Sequence, residues 1–156
     1  MSDFALMFPG QGSQTADMRG LVLQFRPDLF EAVGEHTFER AGESTRFAQP
    51  AIFCASLAAW ERAGRPEPSW LAGHSLGELA ALVVAGVLSE EDGLRLLMLR
   101  GRLMADAVTE DGGMVALLGA TPDQAADIAR RFGLTVANDN APGQLVLSGP
   151  GAARAA

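Results

Sequence analysis

The sequence predicts an α/β protein in two parts, each reading as incomplete. Three observations carry that prediction. Short apolar runs alternate with longer amphipathic ones, and Gly and Pro punctuate the joints. A Gly-x-Ser-x-Gly pentapeptide, Gly73 to Gly77, falls between a predicted strand and a predicted helix. After about residue 110 the order is strand, helix, strand, strand, the opening of a split β-α-β unit that normally adds another helix and strand.

The elements follow in chain order. Phe4 to Phe8 reads as a strand stopped by Pro9-Gly10, with a Gly/Gln/Ser loop after it and helical sequence to about Ala41. Pro50 is expected to open a helix through Arg62, with Gly64 past its end. Trp70 to Gly73 is a second short strand, and a helix follows Ser75 to about Val87. Ser89 followed by Glu90, Glu91 and Asp92 is an N-cap with acids in the first turn, starting a helix to about Val108. Its apolar set, Leu94, Leu97, Met98, Leu103 and Met104, has helical spacing.

The composition shifts at Glu110 to Gly113, which places a boundary between parts 1–110 and 111–156. Met114 to Leu118 reads as a strand. Thr121-Pro122-Asp123-Gln124 is a capping box with Pro at the first helical position, and that helix ends at Phe132-Gly133. Leu134 to Ala137 and Gln144 to Ser148 are two strands separated by a turn rich in Asn, Asp, Pro and Gly. Gly151 to Ala156 resembles the first turn of a further helix. Two strands among several helices are too few for the first part's sheet, so the sequence reads as the N-terminal half of a larger unit.

Composition narrows the function classes. With 48% apolar and 20% charged residues in 156, the chain is globular in character. A formal charge of −7 argues against nucleic acid and anionic membranes as partners. All twelve basic residues are Arg, which excludes a Lys Schiff base, a P-loop lysine and a Lys base from these residues. One cysteine, Cys54, excludes an internal disulfide framework and a multi-Cys zinc site, and it fits a reducing compartment. The first residues carry no basic leader region, and the longest apolar stretch, Leu79 to Leu88, is about half of what a membrane span needs. The expected location is the cytoplasm.

Chemistry concentrates at Gly73-His74-Ser75-Leu76-Gly77. A sharp strand-turn-helix needs small residues on both sides of a nucleophile and holds its hydroxyl out at a helix N-terminus. There the Leu76 N–H can stabilise a developing oxyanion. An ordinary Gly-rich turn has the same spelling, so the flanking strand and helix carry the reading. Phe8-Pro9-Gly10-Gln11-Gly12-Ser13-Gln14 is either a plain loop or a turn aiming N–H groups at an anion.

Together these segments resemble the malonyl-CoA:acyl carrier protein transacylase family. The resemblance rests on Phe8 to Gln14, Gln49-Pro50, Gly73-His-Ser-Leu-Gly-Glu78, Met98-Leu-Arg-Gly101 and Asn138 to Gln144, in family order, over about half the family's usual length. It implies an α/β hydrolase-like core with an inserted ferredoxin-like subdomain, with the core in 1–110. It also implies Ser75 as nucleophile, the N–H groups of Gln11 and Leu76 as oxyanion hole, and Arg100 as partner of the malonyl carboxylate. Malonyl-CoA and acyl carrier protein are the implied partners, in fatty-acid or polyketide synthesis. No metal or resident cofactor is implied, since coenzyme A arrives and leaves with the acyl group.

Helix arithmetic supports Arg100 independently. About twelve helical residues run outward from Ser75, roughly 18 Å, and ten or eleven return by about 16 Å after Ser89. The hairpin brings Arg100 back to the level of Ser75, where its planar fork suits a carboxylate. The alternative is a solvated helix-surface Arg paired with an acid.

Other candidates read as structural. His74 is expected to be a buried, hydrogen-bonded packing residue, and His36 a solvated one beside Glu35 and Glu39. Cys54 sits on an apolar helix face. The family's catalytic His would lie beyond these residues, so the chain alone is expected to turn over poorly. Two rivals stand beside malonyl transfer: a serine hydrolase of the esterase kind, and a non-catalytic fragment that binds carrier protein or a complementary chain.

Overall fold

The computed structural model describes residues 3–107 and 112–151. The fold is mixed α/β, in two compact units, Met1–Ala107 and Val108–Ala156. The first holds β1 (Ala5–Phe8), α1 (Met18–Phe25), α2 (Pro27–Val33), α3 (Glu35–Glu39), α4 (Thr45–Arg62), β2 (Trp70–Gly73), α5 (Leu76–Val84) and α6 (Glu90–Asp106).

β1 and β2 are parallel, in register from Ala5 opposite Trp70 to Phe8 opposite Gly73. Parallel neighbours need a long crossover, here supplied by α1 to α4. The register makes both strands end at one level, and His74 N–H donates to Phe8 O at 3.0 Å as a last rung. The Pro9–Gln14 loop and the turn at Ser75 therefore leave the sheet side by side.

α4 is the centre of this unit. Residues 48–58 are buried all round the helix, as expected for an element surrounded on every side. Ile52, Phe53 and Leu57 pack with Val22, Leu76 and Leu97 into one core. Cys54 is fully buried in it, and burial pushes its thiol up to about 12. This cysteine is inert packing.

The start of α4 corrects the sequence expectation. The helix begins at Thr45, capped by Ser44, whose side chain accepts from Arg46 N–H, so Pro50 lies inside the helix instead of opening it. Pro50 has no N–H to offer Arg46 O four residues back. α6 crosses at this turn: a Cβ on Gly101 would lie 2.9 Å from Thr45 O and 3.4 Å from Arg46 O. Backbone meets side-chain-free backbone there, which sets Arg100 beside α4.

α5 also ends earlier than expected, at Val84, because Gly86 adopts φ +73° just past it. Glycine at that position stops a helix at little cost. Ser89 caps α6 by accepting from Asp92 N–H at 3.0 Å. Glu90 does more than begin that helix: it pairs with the buried Arg26, which also grips Asp28 through two nitrogens. That guanidinium holds the Asp28 carboxyl below its usual range. Within α6, Leu94 and Leu97 enter the core, whereas Met98, Leu103 and Met104 of the predicted apolar set are exposed.

The second unit holds β3 (Gly112–Leu118), α7 (Pro122–Phe132), β4 (Thr135–Ala141) and β5 (Gln144–Pro150). The sheet order is β3-β5-β4 with both pairings antiparallel. Ala125, Ala129, Leu145 and Leu147 form its core. Thr121 and Gln124 make the reciprocal capping box, and Gly133 closes α7 in the left-handed region. The expected Asn-rich turn is shorter than predicted. Asn138, Asp139 and Asn140 belong to an irregular β4 with two register shifts, and only Pro142-Gly143 turns the chain, with Gly143 at φ +80°. Bulges let polar residues continue an edge strand that their propensity alone would end. The expected helix after Gly151 lies outside the described residues. No helix among the described residues is long and apolar enough to cross a membrane.

Candidate active site

Ser75 sits at φ 55°, ψ −112°, a conformation that costs a non-glycine residue about 1–3 kcal/mol. The surroundings enforce it. A Cβ on Gly73 would lie 2.1 Å from Gly77 C, and one on Gly77 would lie 2.4 Å from Phe8 O. The strand end, the turn and the first turn of α5 thus pass within backbone contact of one another, which only glycine at both positions permits. Leu76, 1% exposed, anchors the helix in the core while Ser75 stays exposed.

Arg100 meets Ser75 directly: its Nη2 donates to Ser75 Oγ at 3.0 Å. Its Nη1 donates to Gln49 Oε1 at 2.7 Å. Gln49 is fully buried, and its Nε2 donates to Thr45 Oγ1 at 2.7 Å and to Met104 Sδ at 3.1 Å. Thr45 Oγ1 donates in turn to Gln11 Oε1 at 2.8 Å. A single hydrogen-bonded series therefore joins Gln11, Thr45, Gln49, Arg100 and Ser75.

The charge state of this series matters for chemistry. Arg19, Arg26, Arg40, Arg46, Arg65, Arg95 and Arg130 each pair with a carboxylate. Among the described residues none pairs with Arg100, whose donors go to two neutral oxygens. A half-buried guanidinium held by neutral acceptors keeps its attraction for an incoming anion, and its planar fork favours a carboxylate. Beside it, α5 and α6 enclose a cleft of about 400 Å³ lined by Ser75, Leu79, Leu99, Arg100, Leu103 and Met104, with Glu78 also on its wall. The cleft offers an apolar wall, a hydroxyl, one cation and the Glu78 carboxylate.

The backbone N–H groups of Leu76 and Gln11 have no hydrogen-bond acceptor among the described residues. Leu76 N–H is the first donor of α5, an orphan of the helix start. Gln11 also enters the site through its side chain, a contact the sequence did not suggest.

His74 differs from expectation. It is exposed, and no described residue hydrogen-bonds its ring, which lies against Gly10, where a Cβ would come 2.4 Å from His74 Nδ1. The inward position at this turn belongs to Leu76, which leaves His74 to cover the loop. His36 is exposed on α3, edge-on to Phe47 at 6.0 Å. Neither ring is hydrogen-bonded to Ser75. Among the described residues no three His, Cys, Asp or Glu side chains are grouped to hold a metal ion.

Sequence reasoning missed Gln49 and Thr45 as members of the site. A signal existed for Gln49: it is the one amide within a helix otherwise filled with small and apolar residues from Ala48 to Ala58. A buried amide must find partners, because leaving it unpaired costs about 1–3 kcal/mol.

Comparison with known proteins places this geometry in context. The acyl transferase domain family matches residues 33–154. The polyketide biosynthesis protein ThaF of Burkholderia thailandensis is 40% identical over 170 residues, which cover 96% of this chain and 14% of that protein. The malonyl CoA-acyl carrier protein transacylase of Escherichia coli K12 is 35% identical over 176 residues, covering 96% of this chain and 55% of the enzyme. Among solved structures, a malonyl-transacylase in complex with its type II polyketide synthase acyl-carrier protein superimposes with a TM-score of 0.83 at 34% identity, covering 99% of this chain and 57% of that one. An acyl carrier protein S-malonyltransferase from Vibrio cholerae gives a TM-score of 0.79 at 34% identity, covering 97% and 57%. The chain thus spans about half the length of the transacylases it matches.

Proposed function

Because this chain belongs to the acyl transferase family, we propose that it bears the nucleophile and carboxylate clamp of an enzyme moving malonyl groups from coenzyme A to acyl carrier protein. The single observation that supports this most is the Ser75–Arg100 hydrogen bond on a strained elbow. Among the family's relatives, the names of the transacylases from Escherichia coli and Vibrio cholerae point the same way. We also infer an α/β hydrolase-like core in 1–110 with a ferredoxin-like subdomain from 111.

The chemistry has two half-reactions. Ser75 Oγ attacks the thioester carbonyl of malonyl-CoA and gives up its proton, while the oxyanion settles on the N–H groups of Leu76 and Gln11. The C–S bond breaks, the thiolate takes a proton and coenzyme A leaves, with malonyl esterified to Ser75. The phosphopantetheine thiol of the carrier protein then attacks the ester, and Ser75 regains its proton. The base comes from outside these residues, since neither His74 nor His36 is placed for it. Throughout, Arg100 turns from Ser75 Oγ to the free carboxylate, which lies three bonds beyond that oxygen in the ester. No metal or resident cofactor takes part in this scheme, and the cytoplasm supplies both substrates.

The neutral partners of Arg100 favour this reading over a simple esterase, which has no use for a carboxylate clamp. The test is intact-mass analysis after exposure to malonyl-CoA. With the base absent from these residues the adduct is expected to form slowly, up to one malonyl per chain, and none is expected with Ser75→Ala. An undiminished adduct on Ser75→Ala refutes the proposal.

A further inference from the structure

We propose that Thr45 is a positioning residue that couples the Gln11 loop to the Arg100 clamp, so that Ser75 reactivity depends on a carboxylate in the acyl group. The inference rests on the malonyl-transfer reading and deepens it.

Arginine can only donate, so Gln49 must turn its carbonyl oxygen to Arg100 and its NH2 to Thr45. The Thr45 oxygen is thereby an acceptor, and its one hydrogen is committed to Gln11 Oε1. Every donor along the series points the same way, from Arg100 through Gln49 and Thr45 to Gln11. Bonds aligned in this manner polarise one another. Reversing Gln49 would set its NH2 against the Arg100 donors, so Arg100 fixes the facing of the buried amide and the Thr45 oxygen accepts from the NH2 that this facing presents.

The same hydroxyl holds the other half of the site. Within the Pro9–Gln14 loop, Gly12 N–H bonds to Gln14 and the Ser13 hydroxyl bonds to Gly10 O, both local. Among the described residues, the Thr45–Gln11 bond alone ties the loop by hydrogen bonding to another element. It is spanned by residues 34 apart in sequence. Helix capping does not explain Thr45, because Ser44 already caps α4. Thr45 therefore touches neither reacting atom, yet stands between the oxyanion donor at Gln11 and the guanidinium at Arg100.

The experiment compares wild type, Thr45→Val and Thr45→Ser, each as the full chain with its fold checked by circular dichroism. The first readout is the ratio of Ser75 acylation by malonyl-CoA to that by acetyl-CoA. Thr45→Val is expected to lower the ratio about tenfold, the effect of weakening one charge-assisted contact, and Thr45→Ser to restore it. The second readout needs no activity: the terminal nitrogen signals of Arg100 by NMR on protein with isotope-labelled arginine, assigned by their loss in Arg100→Lys. They are expected to be resolved in wild type and Thr45→Ser, where Gln49 restrains the guanidinium, and averaged in Thr45→Val. If wild type takes up neither acyl group even on prolonged exposure at high concentration, Ser75 as the malonyl acceptor fails as a reading, and the NMR comparison still decides the coupling. A Thr45→Val protein with wild-type Arg100 signals overturns the proposal, as do an unchanged ratio and averaged signals in wild type.

Discussion

Replacing Gly77 with alanine is expected to destabilise the first unit by about 3 kcal/mol or more, seen as a large fall in the urea midpoint. The new Cβ would sit 2.4 Å from Phe8 O, 2.7 Å from Pro9 O and 2.8 Å from Phe8 C, all backbone atoms of the neighbouring strand end. No side-chain rotation relieves that overlap. The strand must move, and with it the Phe8 carbonyl that accepts His74 N–H. Domains of this size are stable by only about 5–15 kcal/mol, so the loss is a large share of the total. Gly20→Ala is the matched control, since nothing lies within 4 Å of its added Cβ and it sits in α1. There alanine should be neutral or stabilising by about 1 kcal/mol. Equal midpoints for Gly77→Ala and wild type would refute the close-packed elbow.

The second large effect is expected at Arg100. Arg100→Ala removes the only described donor to Ser75 Oγ and the charged partner of Gln49. A charge-assisted hydrogen bond contributes about 1.5–3 kcal/mol, and a bidentate carboxylate makes two. Malonyl-CoA should therefore lose a hundredfold or so in acylation rate at Ser75, each tenfold being about 1.4 kcal/mol. Acetyl-CoA, with no carboxylate, should change far less. The readout is the ratio of the two rates, so a general loss of folding cannot imitate it. An Arg100→Ala variant that keeps the wild-type ratio assigns the carboxylate to some other group.

The parts of this molecule that were legible in its sequence are those governed by neighbours in the chain. The Thr121 capping box, the Ser89 cap and the glycines around Ser75 act within a few residues, and each is where local chemistry puts it. The approach of Arg100 to Ser75 was legible too, because α5 runs outward from Ser75 and, after a short turn, the part of α6 from Glu90 to Arg100 runs back to the starting level. Pro50 misled because proline so often opens helices, whereas Ser44 had already capped this one. The Asn138–Asn140 segment misled in the opposite sense: turn-forming residues were carried into β4 by pairing with β5. The Gln49 and Thr45 contacts were beyond reach, since Gln49 and Arg100 are 51 residues apart and meet only because Gly101 lets α6 cross α4 at backbone distance.

What decides the matter is which acyl group Ser75 takes when offered a choice. The protein should be incubated with equal concentrations of malonyl-CoA and acetyl-CoA, digested, and the peptide containing residues 73–78 quantified by mass spectrometry. A predominantly malonylated Ser75 is the predicted result. An adduct on another residue, or acetyl and malonyl in equal amounts on Ser75, would contradict a nucleophile paired with a carboxylate-binding arginine.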